Sequence, residues 1–127
     1  MPISQQSLLP TATLAYHDYE GVALNEAEKP RLVADLGSNN AMILRNQGLL
    51  TTGETVADAS LFMYVLETAC QIQIMAQSGG ADLVRVPQPV VDGIQAQAER
   101  VTKGLGGALV WLGLLRKLDR RDSSFRD

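Results

Sequence analysis

The chain has 127 residues, 46% of them apolar and 20% charged, with a formal net charge of −3. That length suits a single domain burying about 65% of its unfolded surface, and the composition excludes a disordered or collagen-like chain. A lone cysteine, Cys70, excludes an internal disulfide and fits a reducing compartment.

The charge is unevenly spread. Residues 1–115 hold six basic and eleven acidic side chains, whereas residues 116–127 hold five basic and three acidic ones. Such a tail fits a solvated helix end whose cations complement the helix dipole. With no aromatic-interleaved basic stripe elsewhere, no nucleic-acid partner is expected. The N-terminus lacks a signal-like apolar core and no run reaches membrane-spanning length, so a cytoplasmic protein with no membrane partner is expected.

In chain order, residues 1–10 carry Pro2 and Pro10 and read as an irregular lead-in. Val22-Ala23-Leu24 predicts a short strand. Asn25 and Glu28 have capping-box spacing for a helix through Leu32, Val33 and Leu36, which Gly37 ends. Pro30 blurs the start of that helix. Asn39-Asn40 is turn material, Ala41–Leu44 predicts a buried strand, and Asn46-Gln47-Gly48 a sharp turn before extended Leu49–Thr52. Thr55 and Asp58 offer an N-cap for the longest helix, Val56 to Gln77, roughly 33 Å long. Its apolar residues cover most of its circumference, so it should pack on two sides or meet a partner subunit. Ser78-Gly79-Gly80 ends it, and Leu83–Val86 with Pro87 and Pro89 forms an extended crossing. A helix from Val90 to Thr102, a glycine joint at Gly104, Gly106 and Gly107, and a helix from Ala108 to Leu118 complete the reading. The joint reads as a hinge, because its spacing does not match a dinucleotide fingerprint. The expectation is one domain over 1–127, loop- and strand-rich to residue 54 and helical beyond.

Little chemistry is available within one copy. One histidine and one cysteine cannot build a three-histidine or Cys/His zinc site. Cys70 sits mid-helix among apolar neighbours, a setting for an inert thiol. The densest polar cluster is Tyr16-His17-Asp18-Tyr19-Glu20. Within it Tyr16 and His17 are the candidate catalytic residues, either positioning an oxygen-rich ligand or, for His17, satisfying nearby backbone.

Leu14–Gly21, Leu32-Val33-Ala34-Asp35-Leu36-Gly37, Leu44–Leu50 and the Thr55–Gly80 helix with its Gly-Gly exit together resemble the class II aldolase/adducin family, in its bacterial adducin-like branch. The resemblance implies an α/β fold: part of a three-layer α/β/α sandwich around a largely antiparallel sheet, here with a few strands and three to four helices. It implies a zinc-dependent ancestral activity that cleaves a carbon–carbon bond by stabilising an enediolate. In the family a His-x-His pair and a basic glutamate lie upstream of the region matched here, and the third zinc histidine sits in Asn-His-Gly. That position is Gln47, a poor zinc ligand beside imidazole. Gln47 is therefore either a weakened or substrate-contacting position, or a relic of lost catalysis. Trp111-Leu112 and Ser124-Phe125 also depart from the adducin-like pattern, which has Trp-Pro and Ser-Tyr.

The chain accordingly looks like a C-terminal half, with no cofactor expected in this chain alone. Three functions follow from the resemblance: a non-catalytic protein acting as a homo-oligomer or through association, a half-domain aldolase completed by a separate N-terminal half, or an adducin-like module with an actin-type partner.

Overall fold

A computed structural model describes residues 1–22, 24–103 and 105–126. The elements run α1 (Gln5–Ala12), β1 (Leu14–His17), α2 (Glu28–Leu36), β2 (Ala41–Leu44), β3 (Gly48–Thr51), α3 (Val56–Ser78), α4 (Gln88–Asp92), α5 (Ile94–Thr102) and α6 (Ala108–Asp119), with a 3-10 turn at Ser124–Arg126. The sheet order is β1-β2-β3, with β1 parallel to β2 and β2 antiparallel to β3. The class is mixed α/β, as the sequence implies. Among the described residues there are six α-helices rather than three to four.

Side chains alternate across the sheet, so its two faces have different partners. Ala15 and His17 point towards α2, and the register places Met42 and Leu44 beside them. The opposite face, with Leu14, Tyr16 and Ile43, looks towards α1 and α3. This gives helix, sheet and helix in three layers. Leu8, Ala41, Met42, Leu66 and Ala69 are buried and form the core. The Thr51 hydroxyl donates to the Ala59 carbonyl at 3.0 Å and ties β3 to α3.

Several expectations need correction. The lead-in is helical: the Ser4 hydroxyl accepts the Ser7 N–H at 3.2 Å, and the Ser7 hydroxyl accepts the Ser4 N–H at 3.1 Å. Serine in place of the usual Glu or Gln at the third position hides this capping box, and Pro10 lies within the helix it starts. No strand forms at Val22 or Leu24, and Ala23 lies outside the described residues. The capping box expected at Asn25 and Glu28 is absent as such. Asn25 Oδ1 accepts the Ala27 N–H at 3.1 Å, and the Glu28 carboxylate turns inward to His17. The helix expected over Val90–Thr102 is divided at Gly93 into α4 and α5.

The glycine joint is a packed contact. Gly106 has φ +43, and a Cβ at Gly107 would overlap the Ala57 carbonyl. Gly104 lies outside the described residues.

At 23 residues and a mean hydropathy of 1.2, α3 is long and apolar enough by composition to cross a membrane, correcting the expectation that no run reaches that length. Here it packs against α1, β3 and α6. Tyr64, Ile74 and Met75 on α3, and Leu109 and Leu112 on α6, are each more than half exposed.

Candidate functional site

The C-terminal end of β1 and the inner face of α2 build the most polar region of the fold. Glu28, Arg31 and Asp35 follow the i, i+3, i+7 spacing that aligns side chains along one helix face. His17 is 3% exposed and lies against that face. Its Nδ1 is 2.7 Å from Asp35 Oδ2, and its Nε2 is 3.3 Å from Glu28 Oε1. The Asp35 hydrogen bond, opposed by burial and reinforced by Glu28, raises the imidazole pKa above its ordinary 6.5. Arg31 forms a forked pair with the Glu20 carboxylate, which lowers the pKa of Glu20 and raises that of Arg31.

Tyr16 belongs to the other sheet face and is half exposed. The Arg45 guanidinium lies 5.4 Å from its ring centroid and 3.1 Å from Asp18. Tyr16, His17, Asp18, Glu20, Arg31, Asp35 and Arg45 thus share a depression of about 400 Å³. The two candidate residues are brought together, but their roles differ. Both His17 ring nitrogens face carboxylate oxygens, so neither is open to a substrate or a metal ion.

Gln47 lies elsewhere. The β2–β3 hairpin turns through Arg45-Asn46-Gln47, closed by the Gln47 N–H donating to the Leu44 carbonyl at 3.1 Å. Asn46 takes φ +58, a left-handed conformation that asparagine tolerates. Gln47 is exposed at the tip and lines a separate, largely apolar depression of about 390 Å³ with Asn25, Glu28, Leu32, Val33 and Leu44. Glu28 is the link, touching His17 and lining the Gln47 depression.

Zinc can be tested against these donors. Among the described residues no three His, Cys, Asp or Glu side chains are grouped to hold a metal ion. Cys70 lines a third depression, between α1, the sheet and α3, where burial raises its thiol pKa. One amide, one fully engaged imidazole and a distant thiol do not fit a zinc centre within this chain.

Residues 2–74 match the family described as Class II Aldolase and Adducin N-terminal domain. The chain belongs to the class II aldolase/adducin family. A Pseudomonas aeruginosa protein named for aldolase class 2 is 50% identical over 129 residues, covering 99% of this chain and 50% of that protein. Rat alpha-adducin is 40% identical over 85 residues, which is 65% of this chain and 11% of adducin. The crystal structure of an aldolase II superfamily protein from Pseudomonas syringae superposes with a TM-score of 0.89 at 47% identity, covering all of this chain and 51% of that one. L-fuculose 1-phosphate aldolase from Glaciozyma antarctica superposes with a TM-score of 0.59 at 25% identity, over 72% of this chain and 33% of that enzyme. The chain spans about half the length of the bacterial family members it matches.

The partners of His17 escaped the reading of the sequence. By spacing Glu28 fits a helix cap, and Asp35 lies in a stretch shared with the family, so neither points to His17 by itself. Their seven-residue spacing on one helix, facing the only histidine in the chain, is the signal that could have found them.

Proposed function

We propose that this chain, a member of the class II aldolase/adducin family, lacks catalytic activity on its own and acts by association. The observation that carries this reading is the setting of Gln47. The amide stands at an exposed hairpin tip, and the only imidazole in the chain is held by Asp35 and Glu28. An electrophilic centre that stabilises an enediolate needs several strong ligands converging on one ion. Glu26 and Glu28 line the Gln47 depression, but among the described residues no three His, Cys, Asp or Glu side chains are grouped to hold an ion. The test is metal analysis of the purified chain after dialysis, together with an assay for cleavage of hydroxy-ketone phosphates. Zinc well below one per chain and no turnover are expected, whereas a stoichiometric, chelator-resistant zinc overturns the reading.

A second reading is supported by the exposed apolar side chains of α3 and α6. In it, a separate N-terminal half completes a zinc-dependent lyase site around the Gln47 turn. The two readings part on whether adding such a half produces turnover. The adducin likeness supports a role in association, with an actin-type partner by analogy alone.

A further inference from the structure

A neutral imidazole carries one N–H and one lone pair. At His17 both nitrogens face carboxylate oxygens, Asp35 at 2.7 Å and Glu28 at 3.3 Å. A neutral ring would donate to one and turn its lone pair against the other. Only the imidazolium donates to both, and its charge then sits on a buried ring between a buried Glu28 and a partly exposed Asp35.

The two carboxylates belong to opposite ends of α2, on its first and penultimate residues. His17 therefore grips the helix along nearly its whole length. Few other polar contacts do so: Arg31 pairs with Glu20 in the loop, and the α2 residues Lys29 and Val33 are exposed. We propose that His17 is a protonation-controlled latch that holds α2 on the sheet, so that pH governs the shape of the two depressions α2 walls. One depression contains Tyr16 and Arg45, the other Gln47.

The charges around the ring agree with this role. Glu28, Arg31 and Asp35 face it from α2, Asp18 and Glu20 from the loop after β1, and Arg45 from the turn after β2. Four carboxylates against two guanidiniums leave an acidic excess that a proton on His17 reduces. Because the folded pKa lies above 6.5, the latch is fully closed below that value and opens as pH rises through the folded pKa. Proton loss leaves Glu28, 7% exposed, against an imidazole lone pair, a destabilised buried arrangement.

His17 is the only histidine, so its ring resonances are unambiguous in the NMR spectrum of the full chain. Its titration is followed from about pH 5 to about pH 9, beside amide hydrogen exchange in α2, with α3 as the internal reference. The expected result is a midpoint above 6.5 and a several-fold loss of α2 protection through that midpoint while α3 protection holds. Asp35→Asn, at a partly exposed position, keeps an acceptor but removes a charge, and should move both transitions to lower pH together. A midpoint at or below 6.5 overturns the proposal. So does loss of α2 and α3 protection in one step, or an α2 transition that Asp35→Asn leaves in place.

Discussion

Asp58 Oδ1 accepts the backbone N–H of Gly107 at 2.9 Å, joining the first turn of α3 to the residue that opens α6. Its Oδ2 accepts the Thr55 hydroxyl at 2.6 Å, while Thr55 Oγ1 accepts the Asp58 N–H at 3.2 Å. One carboxylate thus completes the cap of the longest helix and anchors the last one. The approach is close enough that glycine is required at position 107.

Gly107→Ala should lower stability by about 1–3 kcal/mol, the usual cost of forcing atoms into a packed contact. Its backbone is helical, at φ −61, so the loss comes from overlap with the Ala57 carbonyl. Gly113→Ala is the control: its added methyl meets only the Arg116 guanidinium at 4.0 Å. That substitution should be neutral or stabilising by up to about 1 kcal/mol through helix propensity. Urea unfolding of both variants gives the comparison, and equal effects would contradict the close-approach account.

Acid should loosen this same junction. The Thr55 hydroxyl, then the Gly107 N–H, lower the Asp58 pKa below its ordinary 3.8. A carboxyl with a depressed folded pKa contributes stability above its unfolded pKa and loses it as pH falls through the folded value. Asp58→Asn keeps an oxygen acceptor for Gly107 but removes the charge. Its melting temperature should lie below that of the parent chain at neutral pH, and the gap should close in acid. A gap independent of pH would show that the charge contributes nothing.

The end of α2 and the boundaries of β2, β3, α3 and α6, to within a residue, were legible because strong local signals coincide: Thr55 before an apolar helix, Gly37 and Gly79 at helix ends, a turn between two apolar runs. The start at Gln5 was not, because a serine pair replaces the common capping chemistry and Pro10 argues against a helix. Tyr16 and His17 stood out by composition. Their meaning was hidden, since the pairing of His17 with Glu28 and Asp35 depends on how α2 crosses the sheet. Gln47 was found through family likeness alone, as a lone glutamine in a turn carries no chemical signature.

Self-association should appear in light scattering at micromolar concentration. Tyr64, Ile74 and Met75 on α3 and Leu109 and Leu112 on α6 are each more than half exposed, apolar surface that a second copy can cover. Among the described residues the outer edges of β1 and β3 pair with no further strand, which adds backbone groups open to a partner. Ile74→Glu with Leu112→Glu should shift the population towards monomer without lowering the melting temperature of dilute samples. A parent chain that stays monomeric at high concentration would show that these faces need no cover.

Gln47→His on its own should create no aldol cleavage. A single imidazole at the hairpin tip leaves the remaining ligand positions empty, and stabilising the developing enediolate depends on the complete electrophilic centre. The informative experiment mixes the substituted chain with a matching N-terminal half that carries a His-x-His pair and a glutamate. If the mixture takes up zinc and cleaves a hydroxy-ketone phosphate only with histidine at position 47, the chain is a disabled catalytic half. The parent chain should then give far less turnover, because an amide oxygen polarises and retains zinc less well than imidazole does. Equal turnover with Gln47 would make the glutamine a working part of a shared site, and the non-catalytic reading would fall.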